Sequence, residues 1–506
     1  MDYLIILLIV FSILWTSIRA LNSAALARRK SPAAPPPPGP PRIPVLGNLP
    51  QLRRGSPYQI LSTLAKAYGP VMSLKLGTVT TVVFSTADAA KEALSKHDAV
   101  LADRAVRHVI KALDHHKASV IWSPVSDNWR NLRKILTVQM FVTHRLNASQ
   151  DLRLKKVQQL REHLREKSRD GAAVDVGGAV FTTLLNMISN TLFSVDLAGY
   201  CSEESHEFES MVFGVMEESA KPNLADLFPA LRWMDPKGGL KRMKMICEKF
   251  MGLFEKIINE RLQATSTSSL RNDNNNKNDV LDALLNLNLE KDYQLTLDNL
   301  KHLFLDIFVA GIDTSASMLE WAIAELLHNP EKLAKAQTEL QQVLGEDGQI
   351  QESDISNLPY LQAAVKETLR LHPPGPLLLP HKAMCDVEIF GFKVPKNAQI
   401  LVNVWAISRD PNSWCNPNSY HPERFLESKI DFKGRDFEFL PFGAGRRICP
   451  GLPLAHRMMH MILATFLHFD WKLDGDMKPE DMDMNEKSGV TLVKRAKPLW
   501  AIPIKA

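Results

Sequence analysis

The residues with the clearest chemistry lie in one loop, PFGAGRRICPG, at positions 441–451. Its cysteine, Cys449, stands among glycines and arginines just before a helical pattern that begins near Leu454. Backbone amides and a helix N-terminus stabilise a negative sulfur, while glycines let the backbone approach a flat group closely. Arg447 can meet a carboxylate, and Phe442 would exclude water. The loop predicts a thiolate ligand to iron; the alternative is an ordinary buried cysteine in a glycine-rich turn.

A second group of polar residues interrupts the long apolar helical pattern from Leu300 to Leu327. Within it stand Gly311, Asp313 and Thr314. A glycine inside a helix costs about 1 kcal/mol relative to alanine, and a carboxylate is rarely buried unless it is paired. By itself this cluster indicates either a helix kink with a satisfied polar pair or an acid placed beside a hydroxyl for proton transfer.

Three further motifs carry charge but are weak in isolation. The segment KETLR places Glu367 and Arg370 on one helix face, as many solvated helices do. Trp129 and Arg133 belong to a basic helical pattern, which is most often a solvated face. PERF supplies Arg424. These motifs need a structural context before they indicate a function.

The elements that must position these residues are mainly helical. Helical patterns dominate from about residue 87 to 345, and alternating apolar runs at 71–85 predict a β-hairpin. The polar stretch 265–279 predicts a surface loop, and short strands follow His372. Because there is no internal repeat or change of composition, we predict one large, mainly α domain with a small β portion.

The N-terminal residues differ from this body. Residues 3–21 form an apolar run just long enough to span a membrane, and positive charge follows at 28–30. The positive-inside rule then leaves the rest in the cytosol; a cleaved secretory signal would carry its charge before the run. The proline-rich stretch that comes next predicts a stiff spacer or a ligand for a proline-binding domain. We therefore expect an anchor (1–30), a hinge (31–50) and a folded body (51–506).

Composition excludes several classes of protein. The 506 residues are 45% hydrophobic and 23% charged, which is typical of a globular protein and excludes a disordered, collagenous or polytopic membrane chain. The net charge of +5 is small and spread out, so it does not indicate nucleic-acid binding. Five cysteines without a C-x-x-C pair argue against a disulfide framework and against structural zinc.

Together the motifs reveal a family resemblance that covers essentially the whole chain. The chain resembles cytochromes P450, the haem-thiolate monooxygenases, of the membrane-anchored plant type. Stretches such as NVWAISRDP and FKGRDFEFLPFGAGRRICPGLPLA are similar to the plant family that includes geraniol 8-hydroxylases and related terpenoid oxidases. The resemblance implies a triangular helical prism around haem b, behind an N-terminal transmembrane helix.

The resemblance also implies a role for each motif. The cysteine loop would hold the haem through Phe442, Arg447, Gly451 and the iron ligand Cys449. The haem propionates would be contacted by Trp129, Arg133 and His381. On the long helix, Gly311 would open a groove for dioxygen. Thr314 and Asp313 would relay the protons that O–O cleavage requires. A buried structural network would consist of Glu367, Arg370 and Arg424.

The partners implied are a small apolar substrate, dioxygen, and NADPH used through a flavoprotein reductase, at the cytosolic face of the endoplasmic reticulum. A basic surface could receive the reductase through Arg130, Arg133, Lys134 and Arg446. The substrate pocket would be lined by the helix near Phe213 and by residues 107–123, 305–314, 374–379 and 488–492. The apolar character of these stretches favours a terpenoid; the alternative is an aromatic amine, alkaloid or phenolic substrate. His115 and His116 would line the pocket or face water.

Two other functions remain open at this point. An isomerase or dehydratase that rearranges a peroxide would keep the haem, but such enzymes commonly lack the acid and threonine present here as Asp313 and Thr314. A non-catalytic membrane haem-binding protein would need no oxygen-activating groove. Consumption of oxygen with NADPH and reductase separates it from a monooxygenase.

Overall fold

The computed structural model of the chain describes Trp15 and residues 34–53, 55–235, 237–269, 279–289, 295–345, 348–487 and 492–504. Apart from Trp15, the predicted anchor lies outside the described residues. The same holds for Ser488 and the three residues after it, in the last stretch predicted to line substrate.

Helices make up most of the described chain. We number them α1 Pro57–Tyr68, α2 Ala87–Lys91, α3 Asp98–Leu101, α4 His115–Ala118, α5 Asp127–Lys134, α6 Thr143–Ala148, α7 Gln150–Asp170, α8 Val176–Phe193, α9 Glu203–Ala220, α10 Leu224–Leu227, α11 Gly239–Ser269, α12 Val280–Leu289, α13 Leu297–His328, α14 Pro330–Leu344, α15 Pro359–Leu371, α16 Val404–Ile407 and α17 Leu452–Leu467. The side chains of Ser126, Ser202 and Thr296 each accept a hydrogen bond from a backbone amide in the first turn of α5, α9 and α13. Such caps satisfy amides that have no partner within the helix.

The strands are short and form a small part of the fold. They are β1 Val71–Leu76, β2 Val79–Phe84, β3 Asp103–Arg104, β4 Val174–Asp175, β5 His381–Lys382, β6 Val387–Ile389, β7 Phe392–Val394, β8 Gln399–Val402, β9 Asp470–Leu473, β10 Glu486–Lys487, β11 Lys494–Arg495 and β12 Trp500–Ile504. The predicted hairpin is confirmed, with β1 antiparallel to β2 and Met72 opposite Val83. A five-stranded sheet has the order β1-β2-β8-β5-β3, in which β2 and β8 are parallel. This sheet carries His381 toward the cysteine loop.

The long apolar helix α13 passes through the core. Its Phe304 and Phe308 are fully buried, and Phe304 meets Phe193 of α8 edge to face with ring centroids 4.8 Å apart. Phe254 of α11 lies 5.3 Å from Phe308 between ring centroids. Both α8 and α13 are long and apolar enough to cross a membrane, but the fold buries most of their surface. They are therefore core helices of a mainly α domain with a small β portion, as predicted.

Two predicted segments differ in the structure. Helix α11 continues to Ser269 and so includes the start of the predicted loop 265–279, because propagating a formed helix adds one hydrogen bond per residue. The proline-rich hinge also joins the body early: the carbonyl of Pro35 accepts from the Lys393 amide at 2.8 Å, and that of Pro38 accepts from the Ser73 amide at 2.7 Å. Prolines lack an N–H but keep the carbonyl acceptor, so the predicted hinge is bonded to β7 through Pro35 and to β1 through Pro38.

Candidate active site

The cysteine loop folds back on itself immediately before α17. The backbone amide of Cys449 donates to the carbonyl of Phe442 at 3.0 Å, and Gly451 is the N-cap of the helix. Gly445 has φ +67°, and a Cβ there would lie 2.4 Å from the carbonyl oxygen of Leu94. Only glycine fits this position, so the spacing of the loop motif follows from its packing.

The surroundings of Cys449 disfavour a thiolate that has no positive charge bound to it. Burial raises the pKa of the Cys449 thiol, whereas the Gly451 amide, the charge of Arg133 and the Leu452 amide lower it. A metal ion bonded to sulfur replaces the proton and supplies the missing positive charge. The surroundings of Cys449 therefore fit the predicted thiolate ligand of haem iron.

Arg447 of the loop is buried, and among the described residues its hydrogen-bond acceptors are all backbone carbonyls. Its acceptors are Ala102 at 2.9 Å, Val120 at 3.2 Å and Ser123 at 2.7 Å. The guanidinium lies 4.3 Å over the ring of Trp129, whose Nε1 donates to the carbonyl of Val120 at 3.0 Å. Two of the predicted haem-contacting side chains thus share one carbonyl acceptor.

Further positive charge surrounds Arg447. Burial, followed by the charges of Arg447 and Arg133, lowers the pKa of Arg104 to about 9. Burial, followed by the charge of Arg104, lowers the pKa of His381 to about 3, and Nδ1 of His381 donates to the carbonyl of Leu101 at 2.9 Å. Two carboxylates placed here would offset this repulsion, so the cluster fits the propionates of haem. The sequence reasoning identified Arg133, His381 and Arg447 but missed Arg104, which no local motif marks.

The polar residues of α13 have separate partners. The hydroxyl of Thr314 donates to the carbonyl of Ala310 at 2.5 Å. Oδ1 of Asp313 accepts from Nζ of Lys494 at 2.5 Å, and that ammonium lies 3.4 Å from the ring centroid of Phe213. Burial raises the pKa of Asp313, while Lys494 lowers it. Oδ2 of Asp313 is buried and has no hydrogen-bond partner among the described residues.

Gly311 lies at the contact between α13 and α8. A Cβ at this position would lie 2.9 Å from Cδ1 of Ile188. This close approach gives a packing reason for glycine, and the predicted dioxygen groove stays a prediction.

The three residues predicted to support the site meet in one buried network. Glu367 accepts from Arg370 through two bonds of 2.8 Å and from Nε of Arg424 at 3.1 Å. The same carboxylate accepts the backbone amide of His421 at 2.8 Å. Arg370 also donates to the carbonyl of Ser408 at 2.7 Å. The network ties α15 to the chain that leads into the cysteine loop.

His115 neither faces water nor stands alone. It is buried, and its Nε2 lies 3.1 Å from Oδ1 of Asp306 on α13. Asp306 was missed by the sequence reasoning, although it interrupts the same apolar run as Asp313 and carried the same signal. Lys494 was also missed, and it has no local signal.

Comparisons with known proteins show which family the chain is similar to. A profile of the family described as Cytochrome P450 matches residues 37–500. The chain is 53% identical to Cytochrome P450 76T24 of Catharanthus roseus over 92% of this chain and 93% of that protein. It is 49% identical to geraniol 8-hydroxylase of Swertia mussotii over 92% of each, and 47% identical to geraniol 8-hydroxylase of Catharanthus roseus over 92% of this chain and 93% of that protein. A zebrafish cytochrome P450 structure with progesterone aligns with a TM-score of 0.75 and 26% identity, covering 88% of this chain and 99% of that chain.

Proposed function

The chain belongs to the cytochrome P450 family, which confirms the family and fold expected from its motifs, and we propose that it hydroxylates a small terpenoid. The observation that carries the substrate class is the similarity to two geraniol 8-hydroxylases over nine-tenths of the chain. The apolar side chains of Val309, Leu377 and Leu492, all buried, support it. Such a lining favours a hydrocarbon skeleton over a sugar or a nucleotide.

The enzyme is a haem monooxygenase: bound haem b would supply the chemistry by which one atom of dioxygen enters a C–H bond of the substrate and the other leaves as water, with electrons from NADPH and protons from solvent. Cys449 would hold the iron through its thiolate, which pushes electron density toward the metal. The haem carboxylates would lie among Arg104, Arg133, Trp129, His381 and Arg447.

Protons for the reaction would pass through the polar residues of α13. Thr314 is held by its bond to Ala310 and can accept a hydrogen bond from a further donor. One carboxylate oxygen of Asp313 has no hydrogen-bond partner in the described structure. Burial raises the pKa of Asp313, so the carboxyl holds a proton more readily and can donate it.

The substrate class is tested with the full-length enzyme in microsomes that contain a plant flavoprotein reductase and NADPH. Geraniol and related monoterpene alcohols, diterpenes, and phenolic amines would each be incubated under isotopic dioxygen, and products identified by mass spectrometry. We expect one labelled oxygen atom in a terpenoid product. Turnover of phenolic amines with none of the terpenoids would reject this substrate class and favour the aromatic alternative.

Enzymes of this family receive electrons from a redox partner, and we propose that the partner is a flavoprotein reductase bound at a basic surface. This surface consists of Arg130, Lys134 and Arg446, which are exposed, and Arg133, which donates to the carbonyl of Ile448 next to the iron ligand. The basic side chains are therefore associated with the cysteine loop, where a bound reductase would be near the iron ligand.

We propose that the chain is a single-pass protein of the endoplasmic reticulum, with residues 1–30 as anchor and the body from about residue 35 on the cytosolic side. An exposed apolar patch supports this arrangement and consists of Ile43, Val45, Leu46 and Leu224. The turn between β1 and β2 links residues 43–46 to α10, which carries Leu224. The Gly77 amide donates to the carbonyl of Leu46 at 3.2 Å, and the Thr78 amide donates to the carbonyl of Leu227 at 2.9 Å.

Val45 is the most unusual residue of this patch. It is 71% exposed and has φ +66°. A β-branched residue is disfavoured in the left-handed region, and an exposed apolar side chain there does not stabilise the soluble fold. The patch adjoins the chain that leads to the anchor. Contact of Val45 with a lipid surface would offset the free energy that its exposure and its backbone conformation cost.

A further inference from the structure

Residues 119–123 form a short segment between α13 and the haem-side cations. On one side, the carboxylate of Asp306 accepts from the hydroxyl of Ser119 at 2.8 Å and from the amide of Val120 at 2.7 Å. The imidazole of His115 is also close, with Nε2 3.1 Å from Oδ1 of Asp306. Asp306 is only 3% exposed, so these bonds are what stabilise its charge in the interior.

The other side of the same segment binds the cations. Three of its carbonyl oxygens accept from side chains that flank the cysteine loop: Val120 from Trp129 and Arg447, Ile121 from Arg104 at 3.0 Å, and Ser123 from Arg447. Val120 is thus held at both ends, by Asp306 through its N–H and by two predicted haem contacts through its C=O.

A second imidazole extends this arrangement along α13. Nδ1 of His302 lies 2.9 Å from Nδ1 of His115, and both side chains are buried. The contact between the two imidazoles therefore fixes the His115 ring beside the carboxylate of Asp306.

We propose that Asp306 is a positioning residue for the haem. It fixes segment 119–123 on α13, and the segment in turn fixes Trp129, Arg104 and Arg447 where the haem propionates bind. The carboxylate is required because the Ser119 hydroxyl lies within hydrogen-bond distance of both its oxygens and the Val120 amide donates to one of them, whereas an amide side chain offers one oxygen acceptor in place of two. Asp306 itself would not contact the haem.

The experiment compares Asp306→Asn with Asp298→Asn in the full-length ferric enzyme. Asp298 is a matched control on the same helix: its side chain is 68% exposed, and its contact with His302 is 3.6 Å, longer than a hydrogen bond. Transfer of haem to excess apomyoglobin gives the dissociation rate, and resonance Raman spectra report the haem propionate bending vibrations. Neither readout needs substrate or reductase, so this proposal and the terpenoid assignment fail independently.

We expect Asp306→Asn to lose haem about tenfold faster, since hydrogen bonds to a buried charge are strong, and to shift the propionate bands, while the control changes neither. Leu303→Ala, a buried apolar truncation on α13, serves as the control for general destabilisation and should leave the propionate bands in place. If Asp306→Asn does not fold, Ser119→Ala tests the same contact and should shift the bands to a smaller degree. Unshifted bands with haem loss equal to that of Leu303→Ala would overturn the proposal.

Discussion

Single residues of the site carry charges that the protein interior disfavours. Burial raises the pKa values of Cys449 and Asp313 and lowers that of Arg104. A ligand that supplies one cation at the sulfur and two carboxylates near the arginines would offset most of these penalties. Because a ligand that binds only the folded state stabilises it, haem and fold should be strongly coupled.

The first prediction concerns the iron ligand. Cys449→Ser should abolish the red-shifted absorbance that carbon monoxide gives with thiolate-ligated ferrous haem, and most haem retention, because serine provides no thiolate. Difference spectra of reduced membranes measure this band. The same substitution at Cys201, Cys247, Cys385 or Cys415 is the control and should leave it in place. A Cys449→Ser protein that kept the band would refute the haem site.

The second prediction concerns proton delivery. Thr314→Ala should bind haem and substrate normally but divert electrons to peroxide or water, since loss of a group that positions the transferred proton costs a factor of roughly 10²–10⁴ in a proton-dependent step. The ratio of product formed to NADPH consumed measures coupling. Thr314→Ser keeps the hydroxyl and should retain it. Unchanged coupling in Thr314→Ala would remove Thr314 from the relay.

At the scale of elements, the close contact between α13 and α8 decides where the polar residues of the long helix lie. Gly311 allows the two helices to approach, and the aromatic cluster around Phe193 and Phe304 fixes their rotation. A shift of α13 would move Asp306, Asp313 and Thr314 together, because one rigid helix carries all three.

The third prediction tests this contact. Gly311→Ala should gain about 1 kcal/mol of helix propensity but lose most of that gain, because its Cβ would lie 2.9 Å from Cδ1 of Ile188 and the end of that side chain must shift. Ile188→Val removes the atom concerned, Cδ1, so the double variant should recover most of the loss. Thermal loss of the haem absorbance measures both. A double variant no more stable than Gly311→Ala alone would show that the substitution acts elsewhere.

At the scale of the whole molecule, the two proposed partners would use surfaces of different character. The reductase would bind the basic surface beside the cysteine loop, and the bilayer would meet the apolar patch around Val45. Charge steers the first association, and salt screens it, whereas burial of apolar area favours the second.

The fourth prediction concerns the basic surface. Arg130→Glu should weaken reductase binding and lower the rate of the first electron transfer, most strongly at low ionic strength. Stopped-flow reduction over a range of salt concentrations measures it. Lys256→Glu, an exposed charge reversal on α11, changes net charge equally and should have little effect. Equal effects of the two variants would argue against a specific surface.

The fifth prediction concerns the membrane. Deletion of residues 1–30 should release most of the enzyme from the tightly bound fraction, and adding Val45→Asp should release the remainder. Aspartate tolerates the left-handed backbone better than valine, so the fold should be unaffected. Val138→Asp, at another exposed valine, is the control.

Sedimentation with vesicles measures the bound fraction of each variant. Full-length protein that washes off in carbonate buffer, or that carries a glycan at the exposed Asn147, would contradict the proposed topology.

The sequence by itself determined the family, the mainly α fold and the cysteine loop. These depend on local patterns: glycines required by the turn around Gly445, the apolar run of α13, and the alternation of β1 and β2. Each is recognisable from residues that are close together in the sequence, although the glycine at position 445 is required by a distant neighbour, the carbonyl of Leu94.

Only the tertiary structure decided which side chains meet. Lys494 pairs with Asp313 across 181 residues, and Asp306 holds Val120 across 186. Arg104 joins the cationic cluster through β3 and the sheet. No local pattern marks such partners, because the packing of distant elements brings them together. A buried charge with no opposite charge nearby in the sequence is stabilised by a group that the tertiary structure places beside it.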